Sequence, residues 1–227
     1  MVTTYRVIAG ACALALSGIG VAHADTVSIT GFRDGLSAVA DLNTPNNISP
    51  RAGEYVGLWN GNSFHSVCVD VEHYLSFGNS YSNYTAKTAS AYGLSAAQES
   101  LLNKLYTNHY AGSRSSNEKA AAFQIAAWEI RYDGGSALNL YDGLFKMGTG
   151  GNDNARDQAA TWLSSLSGKN SGNWTFTVLD SVGDRLDQTS HQDLLVAMPV
   201  PEPSEMALFL AGLGLMGAVA RRRQPRI

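Results

Sequence analysis

Two residues carry most of the chemistry this chain could do, Cys68 and Gln124, 56 positions apart. The chain has two cysteines, and the other, Cys12, lies in a segment with the marks of an export signal. Arg6 precedes an uncharged apolar run over residues 7–21, and Ala22-His23-Ala24 supplies an A-x-A cleavage site. The mature chain is therefore expected to begin at Asp25 with one thiol, which rules out an intramolecular disulfide. A lone thiol in an oxidising compartment is a bridge to another chain, an inert buried hydrophobe or a reactive group. Cys68 sits within SFHSVCVDVEHYLSF (63–77), where Phe64, Val67, Val69 and Val71 make a strand-like run.

Gln124 lies in SSNEKAAAFQIAAWEIRYDGG (115–135), a well-marked helix. Ser116 or Asn117 can cap it, Glu118 falls in its first turn and Gly134-Gly135 closes it. Its apolar stripe runs through Ala120, Phe123, Ala127, Trp128 and Ile130 to Tyr132, and Gln124 stands on that stripe, midway between Ala120 and Trp128. An amide buried without hydrogen bonds costs roughly 2–7 kcal/mol. Either the core supplies partners, or the amide has been consumed. A cysteine thiol can displace ammonia from a glutamine side chain and leave an internal thioester, which removes the unpaired thiol and the misplaced amide together.

These residues resemble the thioester domains of bacterial surface adhesins. The resemblance rests on Cys68-Val69-Asp70 and on Phe123-Gln124-Ile125-Ala126-Ala127-Trp128, and it covers about residues 53–132. Val67 stands where an aromatic or leucine is usual, and Ala127 where a larger aliphatic is common. The resemblance implies a single-turnover covalent binder, not an enzyme, that needs no cofactor. Cys68 is then sulfur donor and leaving group, and Gln124 the acyl donor to a lysine or amino sugar on a surface protein or polysaccharide. Trp128 shields the bond, and Asp70 and Glu129 orient or deprotonate the incoming amine.

Two other classes compete. A cysteine hydrolase needs a histidine beside Cys68 to raise the thiolate fraction. His65, His73, His109 and His191 are available, but the odd offsets of His65 and His73 place them opposite the sulfur in a strand. A non-covalent exopolysaccharide or biofilm-matrix binder, or a structural surface protein, would use tyrosines in polar contexts, here Tyr74, Tyr81, Tyr84, Tyr92 and Tyr110. No metal site is expected, because there is no Cys-x-x-Cys and no paired histidine on a helix face. GTGGNDNARD (148–157) is rich in oxygen ligands but lacks the EF-hand order, and reads as a solvated turn entering a helix.

The C-terminus has its own pattern: Pro201-Glu202-Pro203, an uncharged apolar run over 206–220, then Arg221, Arg222 and Arg223. At about 1.5 Å per residue the run spans roughly 22 Å, short of the ~30 Å bilayer core. The polar residues at its ends can extend it to the interfaces, and the arginines hold that end in the cytoplasm. This tail resembles the PEP-CTERM sorting signal of Gram-negative bacteria. The resemblance implies an exosortase-type sorting protease as partner, a passage through the inner membrane by the C-terminal helix before processing, and a final place at the cell surface or in the extracellular matrix. Without both ends, 11 basic residues face 17 acidic ones, a net charge of −6. An acidic, thinly charged domain argues against nucleic acid as a partner.

The chain thus divides into a signal peptide (1–24), an exported domain (25–198) and a sorting tail (199–227). Strands are expected at 25–33, 54–59, 174–179 and 192–197, a loop at 42–51 and an exposed turn or short hairpin at 76–84. Ser95 caps a helix over 95–110 that turns Leu101, Leu102, Leu105 and Tyr106 to a core, and another helix covers 154–166. Strands at both ends with helices between them indicate an α+β domain. The fold expected is a β-rich lobe packed against a helical lobe, with an N-terminal signal helix and one C-terminal membrane-spanning helix. The resemblance places the thioester near the junction of the lobes.

Overall fold

A computed structural model describes residues 24–45, 47–183, 190–200, 207–213 and 215–216. Nine strands are present: β1 Asp25–Phe32, β2 Ala38–Thr44, β3 Arg51–Ala52, β4 Tyr55–Trp59, β5 Asn62–Cys68, β6 Ser80–Thr88, β7 Lys146–Gly151, β8 Trp174–Ser181 and β9 Leu194–Pro199. Among the described residues of 24–200, four α-helices accompany them: α1 Ala89–Tyr92, α2 Ala96–Ser113, α3 Asn117–Asp133 and α4 Asp153–Ser165. Six strands close an antiparallel barrel in the order β1-β4-β5-β9-β8-β6, and β3-β2-β7 form a separate small sheet. The α+β expectation holds at that level, with the β-rich part built as a closed barrel.

Alternation explains the barrel staves. Val27 and Ile29 on β1 and Phe176 and Val178 on β8 point inward between more exposed neighbours. Asn60 and Gly61 both adopt positive φ (49° and 81°) and join β4 to β5, with Trp59 facing Asn62 across the turn. This is the two-residue hairpin that Asn-Gly favours. β1 bulges between Ile29 and Gly31 where it pairs with β4.

α3 is the central helix. It packs on α2 and α4 and reaches β2, β3 and β5. Its residues 120–130 are all buried, so this helix is apolar nearly all round and lies within the core. The alanines at 120–122, 126 and 127 let its neighbours approach closely. Ser116, not Asn117, is the cap, its side chain accepting from the Lys119 N–H at 3.2 Å. α2 carries a full capping box: Ser95 Oγ accepts from the Gln98 N–H and Gln98 Oε1 from the Ser95 N–H. Gln98 Nε2 then donates to the Arg131 carbonyl at 2.5 Å, tying α2 to α3.

Three sequence expectations are corrected. Residues 80–84, expected in an exposed turn or short hairpin, form the first half of β6, and Tyr84 is fully buried with its hydroxyl donating to the Gln192 carbonyl at 2.7 Å. The loop expected at 42–51 is shortened at both ends, since β2 runs to Thr44 with Leu42 buried, and Arg51 begins β3. The turn expected from residue 148 is the edge strand β7, paired to β2, and Asn152 caps α4. Each strand owes its place to a distant partner strand. The signal helix (1–24) falls almost wholly outside the described residues. Residues 207–213 and 215–216 are helical with exposed apolar side chains, including Leu208, Phe209 and Leu210. Among the described residues no helix is long and apolar enough to cross a membrane.

Candidate functional site

β5 ends at Cys68, and the way it ends creates the site. β4 pairs along β5 from Asn62 to Ser66 and stops there. On the other side β9 continues, with Val67 opposite Leu195 and Cys68 opposite Leu194. The Val69 N–H donates to the Asp193 carbonyl at 3.1 Å. Backbone groups alternate sides along a strand, so Cys68 turns its own N–H and C=O away from β9, to the side where β4 has already ended.

The Gln124 side chain fills that position. Its Oε1 accepts from the Cys68 N–H at 2.8 Å, and its Nε2 donates to the Cys68 carbonyl at 2.8 Å. The amide thus acts as a one-residue strand, and it satisfies two buried backbone groups that would otherwise be orphaned. Cys68 is 2% exposed and Gln124 0%. The two residues of greatest chemical interest in the sequence are brought together, and the amide on the apolar stripe has its partners.

Burial pushes the Cys68 thiol well above its ordinary pKa, a shift that the adjacent Tyr55 hydroxyl opposes and Asp70 reinforces. Tyr55 stands opposite Ser66, diagonal to Cys68, and also donates to Gln192 Oε1 at 3.2 Å. Gln192 Nε2 donates in turn to the Asp70 carbonyl at 3.0 Å. Tyr55 and Gln192 are functional candidates the sequence reading missed. Their only signal is position, Tyr55 on the strand next to β5 and Gln192 just before β9.

A cleft of about 220 Å³ opens beside this cluster. Tyr55, Gln192 and Trp128 form its inner wall, and His73, Tyr74 and Phe77 lie nearer its mouth. Phe32 stacks on Tyr55 with ring centroids 5.1 Å apart, and Phe77 meets both rings edge-on. Trp128, one helical turn beyond Gln124, is 1% exposed and stands between the cleft and the helix core.

The remaining expected residues are placed unequally. Asp70 lies just beyond the strand, its carboxylate hydrogen-bonded to His73 Nδ1 and to the Glu72 N–H. Glu129 is not brought to the cleft. Five positions from Gln124, it is turned about 140° around the helix, and its Oε1 accepts from the Asn139 N–H at 2.6 Å. With Asp133, which accepts from the Leu144 and Phe145 N–H groups, it anchors the segment after α3. Of the tyrosines considered for a binding surface, Tyr84 is buried, Tyr92 donates to Asp193 and Tyr110 to Glu54. Tyr74 is 63% exposed. His65 faces Glu54, and among the described residues no histidine hydrogen-bonds Cys68. Pro201, Glu202, Pro203 and Arg221–Arg223 lie outside the described residues.

A buried carboxyl, Glu129, and a half-buried one, Asp193, set a pH dependence of stability. Desolvation raises Glu129 to about 7 and Asp193 to about 6, in each case against hydrogen bonds that favour the ion. Both folded values exceed the unfolded ones, so their contribution is complete below about pH 4 and is lost as pH rises through 6 and 7. Denaturant unfolding should therefore show a loss of roughly 1–3 kcal/mol between about pH 5 and about pH 8. Glu129→Gln should flatten that slope, and an unchanged slope would place the titration elsewhere.

Residues 199–224 match the PEP-CTERM protein-sorting motif. No curated protein and no solved structure matched the chain. The chain therefore carries a tail of the kind exosortases recognise, and this makes it an exported protein, processed while held at the membrane and then placed at the cell surface. The matched segment is the tail, and the domain of residues 25–198 lies outside it.

Proposed function

We propose that the exported domain is a covalent surface binder whose reactive group is an internal thioester between Cys68 Sγ and Gln124 Cδ. The observation that carries this reading is the Gln124 amide held on the Cys68 backbone beside a buried thiol. Condensation forms the S–C bond, breaks the C–N bond of the amide and releases ammonia, the thiol proton leaving with the nitrogen. The Cys68 N–H already donates to Gln124 Oε1 and so faces the oxygen that gains charge as sulfur adds, the arrangement that stabilises acyl transfer. Burial then keeps water from the bond. An amine entering by the cleft takes the acyl group and leaves Cys68 as a thiol, after which the chain is spent, so it acts once and is not an enzyme. Its targets are amine-bearing surface proteins or polysaccharides. Before processing, the apolar run at 206–220 lies in the inner membrane of a Gram-negative cell, and the exosortase acts at the Pro-Glu-Pro box.

A raised thiol pKa and a sulfur with no bonded histidine among the described residues disfavour the cysteine hydrolase. The aromatic lining of the cleft supports a second reading, non-covalent binding of matrix exopolysaccharide. Intact mass of the purified domain, before and after methylamine, separates the two. The covalent reading expects a mass low by one ammonia and a methylamine adduct, both absent from Cys68→Ala. A full native mass would sink it, and retention on a glycan column by Cys68→Ala would favour the second.

A further inference from the structure

A thioester so deeply buried needs a group at the cleft to accept the amine proton, and we infer that His73, held by Asp70, is that proton acceptor. This rests on the thioester reading above. Cys68 and Gln124 are 2% and 0% exposed, so an amine must approach through the cleft whose inner wall is Tyr55, Gln192 and Trp128. His73 lines that same cleft. Its Nδ1 is engaged by Asp70 Oδ2, which fixes the ring and favours the tautomer with the proton on Nδ1. Nε2, with no partner among the described residues, is then a lone-pair nitrogen available to the cleft. Asp70 is itself held, its second carboxylate oxygen accepting from the Glu72 N–H and its backbone carbonyl from Gln192, the residue bonded to Tyr55. The turn carrying the histidine is thereby connected to the sulfur. Of the other ionisable groups, His191 interacts electrostatically with His73 and Arg51 lines the same cleft.

The step balances with no added reactant. The amine nitrogen bonds to Gln124 Cδ, the C–S bond breaks, and one N–H proton passes to His73 Nε2 and on to the departing Cys68 sulfur. The acceptor is wanted because an amine adding to a carbonyl stays positively charged, and reverts, until that proton is removed.

The test measures methylamine incorporation by intact mass, against time and pH, in the full domain and in His73→Ala, His73→Gln and Asp70→Asn. All four should show the native loss of one ammonia. His73→Ala should react on the order of a hundredfold more slowly and recover with added imidazole. His73→Gln should be as slow, and Asp70→Asn intermediate. A normal rate in His73→Ala would overturn the proposal, as would a His73→Ala chain that lacks the mass loss while wild type shows it, which would assign His73 to bond formation. Wild type without the mass loss would instead end the thioester reading itself.

Discussion

Replacing Gln124 by alanine is expected to abolish both the mass loss and amine incorporation, and to destabilise the domain by about 2–5 kcal/mol. The chemical loss follows from removing the acyl carbon. The stability loss has a separate origin: the Cys68 N–H and C=O keep their buried positions beside α3 but lose both partners at once. Gln124→Glu separates the two effects. It retains the shape of the side chain but has no ammonia to expel, so the thioester should be absent. Its protonated form can still accept from the Cys68 N–H and donate to the Cys68 carbonyl, whereas its ionised form sets a charge against that carbonyl in a dry site. Its folded pKa should accordingly lie above the unfolded value, and the variant should approach wild-type stability at about pH 4 and lose it as pH rises toward about 8. Thermal unfolding over that range tests the clamp independently of the thioester. A Gln124→Glu stability that falls with pH no more steeply than that of wild type would mean the amide is not bound to Cys68 as described.

Gly57→Ala should be more damaging than its single methyl suggests. Gly57 pairs with Ile29 on β1 and Phe64 on β5, next to the β1 bulge. A Cβ there would lie 2.0 Å from the Ser28 carbonyl oxygen and 3.0 Å from the Ile29 Cα. Both are backbone atoms, which cannot rotate away, so β1 and β4 must part and the barrel loses a seam. The expected cost is about 3 kcal/mol or more, seen as a lowered unfolding midpoint or loss of soluble domain. Gly31→Ala is the matched control. It sits on the same bulge, but a Cβ there meets nothing within 4 Å, so that variant should unfold close to wild type. Equal behaviour of the two would contradict the close approach of β1 and β4.

The helices were the legible part of the fold, because their signals are local. Ser95 with Gln98, Ser116 before an alanine-rich run and the glycine after Asp133 each act within a turn or two. Strands with clear alternation, β1 and β8, were legible for the same reason. β6, β2 and β7 were not: Ser and Asn recur in β6, Gly fills half of β7, β2 mixes Asp and Asn with its apolar residues, and pairing with other strands makes them strands. Asn60-Gly61 was a local hairpin signal left unused. At the site, Cys68 and Gln124 stood out because each was anomalous in its surroundings, whereas Glu129, which shares that character, turned out to anchor the segment following α3.

The sequence by itself determined the sorting tail, the single thiol of the expected mature chain and the helix that bears Gln124, since these depend on residues adjacent along the chain. Only the tertiary structure decided that β4 stops two residues before Cys68, that Gln124 takes the position this leaves, and that Tyr55, Gln192 and His73 gather around it. The Gln124 and Gln192 contacts join residues more than fifty positions apart along the chain, and no local preference encodes such a distance.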